Sequence, residues 1–114
     1  MNKQVAINYL RTFRRRAGMS QEEVAFLLGS LEGTSVSRHE QSLRVPLLRA
    51  ALMYEFLYEA SVKDLFPAVF QEARGAVRDR AYGVRKSLLR RKPSARRDRK
   101  LAALRRLIGE HASQ

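Results

Sequence analysis

Cysteine is absent from all 114 residues, which removes disulfides and thiolate metal sites from consideration. Long apolar runs are missing too. No stretch approaches the roughly 20 residues that span a bilayer, so no membrane-spanning segment is expected. The opening Met1-Asn2-Lys3-Gln4-Val5 lacks the pattern of a secretory signal, and we expect a cytoplasmic protein. Histidine is limited to His39 and His111, too few without cysteine for a metal centre. Glu22, Glu23 and Glu32 surround no nucleophile and no paired carboxylates stand out, so neither enzymatic chemistry nor a cofactor is expected. Acidic residues are scarce: 11 Asp and Glu stand against 23 Lys and Arg, a net charge of +12. That surplus points to a polyanionic partner, nucleic acid ahead of an anionic membrane surface.

The positive charge is unevenly placed. Residues 1–70 carry 9 Lys and Arg against 7 Asp and Glu, whereas residues 71–114 carry 14 against 4. A near-neutral folded unit over residues 1–66 followed by a basic helical extension over residues 67–114 accounts for this. The boundary falls near Pro67, and Lys92-Pro93-Ser94 marks a second break.

Apolar positions recur at helical spacing, and nothing in the first 66 residues reads as a strand. A first helix is expected over residues 3–17, with Ala6, Leu10, Phe13 and Ala17 inward and Gly18 as its stop. Ser20 with Glu23 three residues on forms a capping box for a second helix, and Met19 can staple onto Val24. Its inward face is expected to be Val24, Leu27 and Leu28, with Gly29 ending it in the left-handed conformation. A third helix over residues 34–41 offers Val36 to the core and leaves most of its surface outward. A fourth opens at Pro46 and runs to about residue 59, with Leu48, Leu52 and Phe56 as one apolar row and Ala51, Tyr54 and Tyr58 beside it. Ser61 and Asp64 cap a short fifth helix whose Val62, Leu65 and Phe66 close the core. Beyond Pro67, Phe70, Ala73, Val77, Ala81, Val84 and Leu88 make a narrow stripe along one long helix. Asp98 opens a last helix with Leu101, Leu104 and Ile108 on one side.

With these residues in view, the chain resembles the Cro/repressor-type helix-turn-helix proteins, the XRE-like group of bacterial and phage regulators. The resemblance covers residues 9–66. It rests on Leu10 and Arg14, on Met19-Ser20-Gln21-Glu22-Glu23-Val24-Ala25, on Gly29, on Val36-Ser37-Arg38 with Glu40, on Arg44 with Pro46, and on Ser61-Val62-Lys63-Asp64-Leu65-Phe66. Gly33 stands where many relatives carry a base-reading glutamine, and Ser42 where glycine is usual. The resemblance implies an all-α fold: a five-helix lambda-repressor-like DNA-binding domain, here with a basic helical C-terminal extension. It further implies that Thr34, Ser35, Ser37 and Arg38 face bases in the major groove. Gln21, Gln41, Arg44 and Arg15 would then hold phosphates, and Arg14 would pair structurally with Glu40. Arg38 suits direct readout because a guanidinium can donate two bonds to guanine O6 and N7.

The function expected from this resemblance is a sequence-specific transcriptional regulator that binds double-stranded DNA as a homodimer. The stripe over residues 70–88 is either a dimerisation helix or packs within its own chain, leaving Arg90-Arg91-Lys92 and Arg96-Arg97 for phosphates. Two other classes stay open. One is an antitoxin-like module whose extension binds a partner protein; the other is a basic RNA-binding protein. Blander readings accompany several residues: Arg14-Arg15-Arg16 can simply complement a helix end, His39 can be an ordinary surface histidine, and Tyr54 and Tyr58 read as core and rim packing.

Overall fold

The computed structural model describes residues 7–29 and 33–109, and these fold as helices joined by short turns, with no strand among them. The elements are α1 (Leu10–Arg16), α2 (Gln21–Leu27), α3 (Gly33–Glu40), α4 (Leu48–Tyr58), α5 (Val62–Leu65), α6 (Pro67–Leu89) and α7 (Ala95–Ile108). No helix of the described residues is long and apolar enough to cross a membrane. The chain divides into two compact units, Met1–Phe70 and Gln71–Gln114.

In the first unit the core gathers Leu10, Val24, Ala25, Val36, Tyr54, Leu65 and Phe66, with Phe13, Met19, Leu28, Leu57, Tyr58 and Val69 packed around them. Each fully buried side chain of this size contributes about 1.5–3 kcal/mol relative to exposure. Tyr54 is the largest and sits among rings: Tyr58 lies 6.1 Å away, Phe66 6.4 Å and the His39 imidazole 5.7 Å, the last two edge-on. Ala25 on α2 is buried within this core, and a larger side chain there would have to displace its neighbours.

Local signals set the ends of α2. The Ser20 hydroxyl accepts from the Glu23 N–H while the Glu23 carboxylate accepts from the Ser20 N–H. Gly29, at φ +84°, ends the helix in a conformation that costs a residue with a Cβ about 1 kcal/mol or more. The last turn of α3 closes with a pair of backbone bonds, Leu43 N–H to Arg38 O and Ser42 N–H to His39 O. Ser42 therefore adopts φ +60°, the position where glycine is the usual choice.

Several expectations need correction. The first helix starts at Leu10 rather than residue 3: Lys3 and Ala6 lie outside the described residues, and Ile7, Asn8 and Tyr9 are not helical. Asn8 provides the physical reason. Its amide oxygen accepts from the Leu10 N–H, which a continuing helix would commit to the carbonyl four residues back, and its Nδ2 donates to His39 O and Ser42 Oγ. Ala17 is exposed. Pro46 is buried but precedes α4, whose first residue is Leu48. The row Leu48, Leu52 and Phe56 faces outward, 74 %, 49 % and 86 % exposed, because Ala51, Tyr54, Leu57 and Tyr58 take the inner side. Leu27 likewise points out, its inward place being taken by Ala25.

In the second unit the buried apolar residues are Ala81, Leu88 and Ile108, with Leu101 and Leu104 half-buried. The stripe over residues 70–88 is thus divided, since Ala73, Val77 and Val84 remain exposed. α7 opens earlier than Asp98: Ser94 caps it by accepting from the Arg97 N–H, and Arg97 Nε donates to Leu88 O across the break at residues 90–94. Asp98 instead sits in the first turn, where a carboxylate complements the helix dipole.

Candidate functional site

α3 has two opposed faces. At about 100° per residue, Thr34, Ser37, Arg38 and Gln41 fall within one arc of roughly a quarter turn, and Val36, His39 and Glu40 fall on the far side. Burial follows that division. Val36 and His39 are buried, Thr34, Arg38 and Gln41 are exposed, and Ser37 is half-buried with its Oγ accepting from Gln41 Nε2 at 3.1 Å. Ser35 is half-buried at the flank, next to the His39 side of the helix. The result is a polar, singly cationic ridge of short side chains, backed by an apolar anchor.

A carboxylate fixes that ridge in place. The Glu40 side chain is wholly buried; it accepts from Arg14 Nε at 2.6 Å, from Arg14 Nη2 at 3.1 Å and from Gln21 Nε2 at 3.1 Å. Arg14 Nη1 also donates to Met19 O, so one guanidinium ties α1, the turn before α2 and the end of α3 together. The charge-assisted bonds to Glu40 hold the Arg14 pKa above its usual value. Gln21 consequently belongs to this buried network through one amide hydrogen and is half-buried, with the other hydrogen left at the opening turn of α2. Gly33 lets α3 start close by: a Cβ there would lie 3.1 Å from the Glu22 carboxylate and 3.3 Å from the Glu22 backbone nitrogen.

Each unit also exposes cations of its own. Arg44 is exposed just beyond the C-terminus of α3, and Arg15 is exposed in the last turn of α1. Arg16 lies over the Phe13 ring, 5.5 Å from its centroid. In the second unit, exposed basic residues line both α6 and α7, Arg74, Arg80, Lys86, Arg96, Arg99 and Lys100 among them. Among the described residues no cluster of three or more His, Asp or Glu side chains could hold a metal.

His39 corrects the surface-histidine reading. Its ring is buried and its Nδ1 lies 2.8 Å from the Tyr54 hydroxyl, within hydrogen-bond distance. Burial lowers the His39 pKa, and the nearby Arg44 charge lowers it further. Burial raises both tyrosines, Tyr58 up to about 12 and Tyr54 beyond it. Asn8 and His39 together secure the C-terminal end of α3; the sequence reading passes over Asn8 and puts His39 on the surface. Asn8 is a residue type common at helix starts, but the helical spacing on either side of it hid that signal.

The His39 shift has a testable consequence. Above about pH 6.5 the ring is neutral in both folded and unfolded chains; below it the unfolded chain takes up a proton that the folded ring resists. Stability should therefore fall between pH 7.5 and pH 5.5 in thermal unfolding, and His39→Gln should flatten that slope. A wild-type Tm independent of pH over this range would contradict the buried neutral ring.

No protein-family model, no curated protein and no solved structure matches the chain.

Proposed function

We propose that the chain is a sequence-specific DNA-binding regulator of the Cro/repressor type, reading the major groove with α3 as a dimer on its operator. The observation that carries this reading is the outward arc of α3. Thr34, Ser37, Arg38 and Gln41 stand on one face of a short helix anchored from behind by Val36, His39 and the Glu40–Arg14 pair. A helix so mounted fits a groove about 12 Å wide, and polar side chains of this length reach base edges. Arg38 takes direct readout, with Thr34, Ser35 and Ser37 as shorter contacts. Gln21, Gln41, Arg44 and Arg15 hold phosphates on either side, positioning the helix without specifying sequence.

The basic second unit adds affinity that does not depend on sequence. With 14 Lys and Arg against 4 Asp and Glu over residues 71–114, it supplies phosphate contacts whose strength drops steeply with salt. A near-neutral reader joined to a basic extension separates the two tasks, selection in the first unit and retention in the second. In this reading the protein works in the cytoplasm, by occupying DNA and blocking or recruiting polymerase, without a cofactor.

Selection of bound sequences from a random duplex pool at about 150 mM salt tests the proposal. Recovery of a palindrome with half-sites about one helical turn apart is the expected result. Retention without a motif, lost as salt rises and equal for RNA, would instead make the chain a non-specific polyanion binder.

A further inference from the structure

Among the described residues, the helices of the first unit leave an apolar surface exposed. On α4, Leu48, Leu52 and Phe56 form an i, i+4, i+8 row that is 74 %, 49 % and 86 % exposed, and the adjoining Leu47 is 82 % exposed. On α2, Phe26 and Leu27 are 77 % and 51 % exposed. These side chains adjoin one another: an open cleft of about 520 Å³ between α2 and α4 is lined by Leu27, Leu52 and Phe56 and floored by Met53 and Leu57. Such exposure is unusual, because each of these positions could carry a polar residue at no cost to the core. Their outward surface amounts to on the order of 800 Å², above the largest patches of ordinary monomers.

We infer that this α2–α4 face is the interface between two copies of the chain, related by a two-fold axis. Three features favour a second copy as the occupant. The area agrees with the roughly 800 Å² that each partner contributes to a stable interface of standard size. The shape suits self-association: Phe56 stands at the cleft and is 86 % exposed, so a two-fold rotation can set the Phe56 ring of each copy against the cleft of the other. Charge permits it as well. Residues 1–70 are close to neutral, so two copies repel little, and the face is bordered by Arg49 on α4 and by Glu22 and Glu23 on α2, opposite signs that a rotated copy can bring together. A nucleic acid or an anionic lipid surface would instead call for several cations among the apolar side chains, and Arg49 is the cation lining the cleft.

The inference builds on the dimeric state proposed above, but not on DNA, and it puts the dimer contact on the first unit rather than on the α6 stripe. Sedimentation of the full chain without DNA, at tens of micromolar, should give a dimer. Leu52→Glu combined with Phe56→Glu should raise the dimer dissociation constant at least about 30-fold, the effect of losing a central aromatic anchor. The circular dichroism spectrum should not change, since both side chains are exposed. Leu48→Arg reads the same surface if the double variant fails to fold. Val77→Glu with Val84→Glu, on the exposed side of α6, should leave the dimer intact. A monomeric wild type would mean that another occupant covers the face, and it would overturn the inference, as would a dimer that withstands the α4 variants. A monomer that still selects a DNA motif sinks this inference alone; a dimer that selects none sinks the DNA reading alone.

Discussion

Replacing Glu40 by glutamine is expected to lower the stability of the protein by about 3 kcal/mol, the usual consequence of stripping one partner from a buried ion pair. The Glu40 side chain has no exposed surface and Arg14 retains little, so the guanidinium left behind cannot recover its hydration. Glutamine keeps one acceptor oxygen but puts an amide where a second acceptor stood, facing donors from Arg14 and Gln21. In a domain of this size the loss corresponds to a fall in Tm of more than about 10 °C. Removing both charges should hurt less: Arg14→Met with Glu40→Leu leaves no buried ion unpaired, since Arg11, 3.7 Å from Glu40, is half-exposed and stays hydrated, and such pairs of apolar replacements are often close to neutral. Thermal unfolding of the two variants beside the wild type makes the comparison. Equal losses in both would mean that packing around Arg14, not its charge, matters.

That pair also shows where reading the sequence succeeds and where it stops. Ser20 and Glu23 sit three residues apart, and the box they form is a local event, so the start of α2 is legible from its own residues. Gly29 and the Ser61 cap are local in the same sense. Arg14 and Glu40 are 26 residues apart; no spacing rule joins them, and their association was expected through resemblance alone. α4 defeats periodicity for a different reason. Its sequence, Leu48-Arg49-Ala50-Ala51-Leu52-Met53-Tyr54-Glu55-Phe56-Leu57-Tyr58, is apolar on nearly every side, so the spacing cannot say which side faces the core. The larger residues Leu52 and Phe56 look like core, yet the inner space beside Leu10 and Val36 is filled by Tyr54, whose hydroxyl is satisfied by His39. The same exchange buries His39, a polar residue on a polar helix, because its partner lies on another element. The misreading of α4 and the exposed face that follows from it have one origin: a helix with two apolar sides buries one of them within its own unit and leaves the other exposed.

Arg38→Ala should weaken binding to the selected operator by about 5- to 150-fold per half-site, the equivalent of about 1–3 kcal/mol for a bidentate contact to guanine. The side chain is exposed and lies opposite the Val36 anchor, so its truncation should leave folding intact and isolate the effect on DNA. Two further measurements give the result its meaning. On a scrambled duplex the loss should be much smaller, because non-specific binding comes from phosphates. Arg44→Ala, just past the helix end, should behave in the opposite way, weakening all sequences alike and reducing the dependence of log K on log salt by about one. Fluorescence anisotropy titrations of both variants on operator and scrambled duplexes, each at several salt concentrations, separate the two patterns. If Arg38→Ala loses equally on both duplexes and flattens the salt slope, Arg38 is a phosphate contact. Base selection then falls to Thr34, Ser35 and Ser37, whose hydroxyls discriminate less sharply than a guanidinium because each can donate or accept.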